Sequence, residues 1–454
     1  MIEGPLLIAV LLLAVGLIIL STAKLRLHPF LALIAAAFLV GLLVGMPLTD
    51  LAEAVTGGFG AITGYIGLVI VFGTIIGTIL EKAGAAFKMA EVVIRWVGEK
   101  RPQLAMSLIG AIVSVPVFCD SGYVILSSLK KALARRARVA LASMAVALAT
   151  GLYATHTLVP PTPGPIAAAG NIGEVVGADF LGMVILIGLI VAVPTIAAGY
   201  LWATRVAVKI EIEEEDETIS YDDVIKQFGT LPPLWKAFAP IVVPILLIAT
   251  GTVVSFFEYT AFGSETLRFL GSPAVALFAG LLFALLLLPR FNEKTLNGWI
   301  GEGIRHAAPI LLITGAGGAF GRVLSETPIS GLIAGLAEGG LFGGPLVLLL
   351  PFLIAAGLKT AQGSSTTALV VTSAMIAPLL AGMGIESPVQ LSLVVMAIGA
   401  GAMTVSHAND SYFWVVTQFS GMDVKDAYKA QTLATLLQGL TAIAVTFLLY
   451  VVLV

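Results

Sequence analysis

The chain has one cysteine, four histidines and little charge of either sign. A single thiol, Cys119, excludes an internal disulfide and any multi-cysteine metal site. His28, His156, His306 and His407 lack the spacing of metal ligands, so neither a metal nor a cofactor is expected. Charged residues make up 11% of the 454, against roughly 25% in ordinary soluble chains. A soluble protein so poor in charge could not cover its own surface. The net charge of −3 leaves no footprint for nucleic acid. No nucleophile–base spacing and no His-Glu-x-x-His motif points to an enzyme. A secretory signal is missing too: Glu3 stands where a basic stretch would, and the apolar run at 5–21 is long enough to span a bilayer.

What the chain has is apolar surface. Apolar residues make up 58%, mean hydropathy is +1.04, and there are 49 glycines. This is the composition of an all-α polytopic membrane protein with closely packed helices. About 20 apolar residues cross the hydrocarbon core. Crossings are expected at 5–22, 29–47, 59–81, 139–157, 179–204, 237–257, 269–289, 308–325, 389–405 and 431–454. Residues 103–129 and 345–380 are apolar but interrupted by Phe-Cys-Asp-Ser-Gly (118–122) and Gln-Gly-Ser-Ser-Thr-Thr (362–367).

Basic residues orient the chain, because cytoplasmic loops carry the excess of Lys and Arg. Lys82, Lys88, Arg95, Lys100 and Arg101 precede 103–129, and Lys130, Lys131, Arg135, Arg136 and Arg138 follow it. With both clusters inside, 103–129 is a re-entrant hairpin with Asp120 near its tip. That arrangement leaves only Arg268, Arg322 and Lys359 outside or within the membrane, and both termini extracytoplasmic. Residues 207–236 carry eight Asp and Glu and read as an acidic, solvated cytoplasmic linker. Trp96, Trp235 and Trp299 read as interfacial anchors.

The linker divides the chain into 1–206 and 237–454. An offset of 244 residues brings Gly73, Gly77 and Leu80 onto Gly317, Gly321 and Leu324, and Cys119–Gly122 onto Gly363–Thr366. With a further shift of seven, Thr155-His156-Thr157 falls on Ser406-His407-Ala408. Each half holds five crossings and one hairpin, so the second half is inverted. Broken helices are expected at about 139–175, where Pro160–Pro165 is proline-rich, and about 389–420. Inverted repeats with helix breaks near the midplane are the architecture of many secondary transporters.

The motifs resemble those of the gluconate permease family of proton symporters, within the ion transporter superfamily, over most of the chain. They are Gly57-Gly58-Phe59-Gly60 with Gly73 and Gly77, Pro116-Val117-Phe118-Cys119-Asp120-Ser121-Gly122-Tyr123, His156–Pro165, Gly363-Ser364-Ser365-Thr366 and Ser406-His407-Ala408-Asn409-Asp410-Ser411. The family commonly shows histidine where Thr162 stands and glycine where Tyr412 stands, which leaves the substrate within the family open. The resemblance implies uptake of gluconate or a related hydroxy acid with a proton, through a transport domain moving against a scaffold.

The candidate substrate-binding residues are Asp120, Ser121, Gly122, His156, Thr157, Gly363, Ser364, Ser365, Thr366, His407, Asn409 and Asp410. Asp120 is a carboxylate inside an apolar hairpin, where charge is costly and a proton is readily held. His156 and His407 stand at corresponding breaks and can carry a proton. Asp410 completes the proton-coupling set of Asp120, His156, His407 and Asp410. Ser364, Ser365 and Thr366 supply hydroxyls, exposed amides at a hairpin tip suit a carboxylate, and Asn409 and Asp410 offer groups suited to substrate hydroxyls. Lys359 either attracts an anion or snorkels to the interface. His28 and His306 lie by basic loop regions and receive no role. The expected function is a proton-coupled symporter of the inner membrane importing a gluconate-like anion, of elevator type, with room for a homo-oligomer. The rivals are a sodium-coupled carboxylate or dicarboxylate carrier and an anion channel. A channel would need a basic pore lining that one or two intramembrane cations do not supply.

Overall fold

Proline opens many of the helices, because its missing N–H falls where the first turn has no partner to offer. Pro29, Pro102, Pro163, Pro273 and Pro388 all occupy this position. Glycines with left-handed backbone close several, as at Gly45, Gly177 and Gly421. The structure, a computed structural model, describes residues 5–98, 100–212, 230–256, 263–328 and 344–454. Most of the expected acidic linker lies outside the described residues.

The first half contains α1 (Pro5–Ala23), α2 (Pro29–Val44), α3 (Leu48–Lys82), α4 (Ala85–Val97), α5 (Pro102–Val113), α6 (Cys119–Ala137), α7 (Leu141–Leu158), α8 (Pro163–Val176) and α9 (Leu181–Arg205). The second contains α10 (Leu234–Phe256), α11 (Ser264–Gly271), α12 (Pro273–Leu285), α13 (Ile300–Ser325), α14 (Leu349–Gln362), α15 (Ser365–Ile376), α16 (Pro388–Met403), α17 (Ser411–Ser420) and α18 (Leu433–Leu453). No strand occurs among the described residues.

Seven described helices are long and apolar enough to cross a bilayer, or eight if α11 and α12, bent by 68°, form one span. Every expected crossing coincides with a helix, but several helices are short. Helices α2 and α16 have 16 residues each, about 24 Å at 1.5 Å per residue, less than a core of about 30 Å. Length matters less where lipid is not the neighbour. Residues 142–158 of α7 and 391–403 of α16 are all buried in protein. Helices α9, α10 and α18 instead turn large apolar residues outward, such as Val193, Leu246 and Leu448. The chain is thus a multi-pass membrane protein. Helix α4 falls outside the expected crossings; it leaves Trp96 exposed, as an interfacial anchor would be.

Candidate functional site

Two interrupted helices meet at one cavity. Helix α5 ends at Val113, and α6 begins at Cys119. Between them Pro116 supplies no N–H, and the Ser114 hydroxyl bonds the Val117 carbonyl at 3.1 Å. Asp120 and Ser121 sit in the first turn of α6, where the helix dipole favours negative charge. Asp120 Oδ1 is buried without a hydrogen-bond partner.

The second interruption is tighter. Helix α14 stops at Gly363, whose φ of +83° favours glycine. A Cβ there would also collide with the Asn409 carbonyl. Ser364 caps α15, accepting from the Thr367 amide at 3.2 Å and from its hydroxyl at 3.0 Å.

A cavity of about 400 Å³ lies between the two interruptions. Asp120 and Ser121 reach it from α6, and Ser364, Thr366 and Thr367 from the start of α15. Arg305 and His306 of α13 form another wall. The N-termini of two half-helices therefore share one space with hydroxyls, a carboxyl and a guanidinium.

The other candidates gather behind it. Lys359, fully buried in α14, lies 2.5 Å from Asp410 Oδ2 and donates to the Gly363 carbonyl at 2.7 Å. It faces the Tyr153 ring at 5.7 Å. The expectation that Lys359 snorkels or attracts an anion meets a lysine enclosed in protein, with its charge opposed by a carboxylate. Asp410 accepts from the Ser406 hydroxyl at 2.5 Å and the Tyr412 amide at 3.1 Å. Two further groups grip the Thr360 carbonyl: His407 Nε2–H at 2.9 Å and Asn409 Nδ2 at 2.7 Å. The α16–α17 break is thereby sewn to α14.

In the first half, His156 ends α7 buried, with Nδ1 unpartnered and its ring 6.0 Å from that of Phe118. The Thr157 hydroxyl bonds the Tyr153 carbonyl of its own helix at 3.1 Å. A Cβ on Gly122 would meet Leu152 at 2.8 Å. Ser365 is buried.

Of the expected binding residues, Asp120, Ser121, Ser364 and Thr366 line the cavity. Gly122, His156, Thr157, Gly363, Ser365, His407, Asn409 and Asp410 do not. Sequence reasoning passed over Arg305 and His306. They stand one turn before Pro309 at the end of an apolar run, and by position they look like ordinary flanking residues. Among the described residues, no three His, Cys, Asp or Glu side chains gather as a metal site requires.

Glycines bring the unwound segments close to long helices. A Cβ on Gly77 of α3 would collide with the Pro116 carbonyl, and one on Gly73 would lie 3.1 Å from the Pro161 carbonyl. On α13, a Cβ at Gly317 would lie 3.0 Å from Ala374 of α15.

Half-helices meeting at a polar cavity inside an apolar bundle are how carriers hold solutes. Residues 6–452 match the GntP family permease profile. The chain belongs to this family. Among the relatives of this GntP-family permease is the gluconate permease of Pseudomonas aeruginosa, 33% identical over 99% of both chains. The D-serine transporter DsdX of Escherichia coli is 31% identical over 97% of this chain and 98% of its own. The crystal structure of the Alcanivorax borkumensis YdaH transporter aligns at a TM-score of 0.69, covering 93% of this chain and 98% of that one. At 15% identity, that likeness is one of fold. The protein is a membrane permease, not an enzyme.

Proposed function

We propose that this permease imports a small hydroxy-carboxylate, gluconate foremost, together with a proton. The observation that carries the reading is the 400 Å³ cavity shared by Asp120 and the hydroxyls of Ser364, Thr366 and Thr367. Hydroxyls match a polyol chain, and two helix N-termini favour an anion. A carboxyl with an unpaired buried oxygen is suited to hold a proton that an arriving carboxylate makes more welcome. Asp120 thus has the first claim to coupling, with Asp410, His156 and His407 behind it, since Asp410 already opposes Lys359. Asn409 and Asp410 contribute by holding the second tip in place.

The helix packing supports inverted repeats. Helix α3 packs on α13, α2 on α13 and α12 on α3, α5 on α7 and α14 on α16, α6 on α17 and α15 on α8. Each of these contacts has its counterpart when the halves are exchanged, α3 on α13 being its own. With hairpins at 103–129 and 345–380 entering from opposite faces, an elevator-type motion of these parts against the outer helices follows as the transport step. On this reading the permease lies in the inner membrane with both termini extracytoplasmic.

Uptake into proteoliposomes tests the coupling. An inward proton gradient should drive accumulation of radiolabelled gluconate, and replacing sodium should not change it. Asp120→Asn, a mimic of the protonated acid, should bind gluconate, lose uphill uptake and keep exchange of labelled for unlabelled substrate. Uphill accumulation by Asp120→Asn would move the coupling site elsewhere.

A further inference from the structure

The wall of the cavity formed by α13 carries a charge that no neighbour answers. Arg305 is exposed, and among the described residues no carboxylate lies within ion-pair range of it. Glu302, one turn earlier, is taken by Lys82 at 3.0 Å. Four residues after Arg305 comes Pro309, which also lines the cavity and brings no N–H. The Arg305 carbonyl therefore lacks its usual helix donor.

His306 stands beside it. The Thr78 hydroxyl gives its proton to the Thr74 carbonyl at 2.9 Å, so it can only accept from His306 Nδ1, 3.4 Å away. That contact favours the Nδ1–H tautomer and leaves Nε2 as an acceptor. The ring meets Phe118 edge-on at 6.1 Å, which sets it against the first interruption.

A carboxylate entering a space that already holds Asp120 needs a nearby cation. Lys359 does not supply one, because it is fully buried against Asp410. Among the described residues, Arg305 is the one Lys or Arg lining this cavity. Its planar fork binds a carboxylate through two parallel hydrogen bonds, which a lysine cannot do. We propose that Arg305 docks the substrate carboxylate on α13, with His306 Nε2 accepting from an adjacent hydroxyl, while the rest of the molecule points toward Ser364 and Thr366. This rests on the reading of the chain as a hydroxy-carboxylate carrier and assigns the orientation of the substrate in it.

Binding measurements on the purified protein separate this assignment from that reading. Calorimetry would compare gluconate with sorbitol, which has a hydroxymethyl group in place of the carboxylate. Wild type should bind gluconate and not sorbitol. Arg305→Gln should weaken gluconate binding about ten- to hundredfold, the loss expected for a charge-assisted hydrogen-bonded contact, and Arg305→Lys should fall between. Equal gluconate affinity in a folded Arg305→Gln protein overturns the assignment and leaves the transport reading standing. If wild type binds D-serine and not gluconate, the substrate reading falls, and the same variant decides the assignment on D-serine. Should Arg305→Gln not fold, Arg305→Lys decides: weakened binding supports the docking role and unchanged affinity overturns it. No binding of any carboxylate by wild type overturns both.

Discussion

Lys359 has no exposed surface, and its amine meets Asp410 Oδ2 at 2.5 Å and donates to the Gly363 carbonyl. A buried pair of this kind adds little net stability, yet breaking it leaves an uncompensated charge. Lys359→Met should therefore lower unfolding free energy by about 3–5 kcal/mol, and adding Asp410→Leu should return more than half of that loss. Denaturant unfolding in detergent measures both; a single variant as stable as wild type would mean the pair is not holding the two segments. Lys130 is a different case. It too is fully buried, but its partners are the Tyr123 hydroxyl at 3.2 Å, the Phe419 carbonyl at 3.0 Å and the Ser420 hydroxyl at 2.9 Å. Those last two groups end α17, where a cation suits the helix dipole. In the sequence, Lys130 reads as one member of a cytoplasmic basic cluster, and nothing in its spacing marks it as the residue that turns inward. Asp120 was legible, because a carboxylate in an apolar run stands out. Arg305 was not, because a basic residue near a helix end is the commonest flank of a crossing.

At the scale of elements, the breaks were readable and their partners were not. Pro160 and Pro161 cannot continue α7, and the chain does interrupt there, whereas Pro163–Pro165 form the first turn of α8. The polar run 362–367 likewise marks the Gly363–Ser364 interruption. Which helix each break would approach depends on long-range packing that local pattern does not encode. The glycines show this. Gly57 and Gly77 both lie in α3 and look alike in the sequence, yet a Cβ at Gly57 meets nothing within 4 Å, while one at Gly77 strikes the Pro116 carbonyl. Gly77→Ala should thus destabilise by about 1–3 kcal/mol through overpacking. Gly57→Ala should be neutral or stabilising by up to about 1 kcal/mol, since alanine is the better helix former. Thermal unfolding of the two variants side by side reads the difference, and equal behaviour would mean that α3 does not press on the first break. The half-helices that follow the breaks also bind across the halves. Asn171 of α8 donates to the Val370 carbonyl at 3.0 Å and the Ser373 hydroxyl at 2.9 Å of α15, and Lys130 of α6 reaches α17.

For the whole molecule, composition alone places the chain in a membrane, and hydropathy finds the helices. Of the ten expected crossings, six pass on length and composition, a seventh does so if α11 and α12 form one span, and the remaining passing helix is α14 in the expected 345–380 hairpin. Helices such as α2 and α16 fall short because they have only 16 residues. Orientation remains an inference from charge, and two observations bear on it. Lys82 at the end of α3 pairs with Glu302 at the start of α13, so these two helix ends lie at one level. The Trp202 indole near the end of α9 donates to the Lys429 carbonyl at 3.2 Å, which brings a second pair of basic segments together. If that level is cytoplasmic, as the positive-inside rule requires, then Asp50, exposed in the first turn of α3, lies outside and the 207–236 segment lies inside. The protein is well suited to the test because its sole cysteine, Cys119, is buried. In intact cells, a membrane-impermeant maleimide should modify Asp50→Cys, and Glu214→Cys only after permeabilisation. The reversed pattern would invert the molecule in the membrane. Labelling of both positions from outside would break the crossing count between them, and with it the odd number of crossings per half on which the inverted arrangement depends.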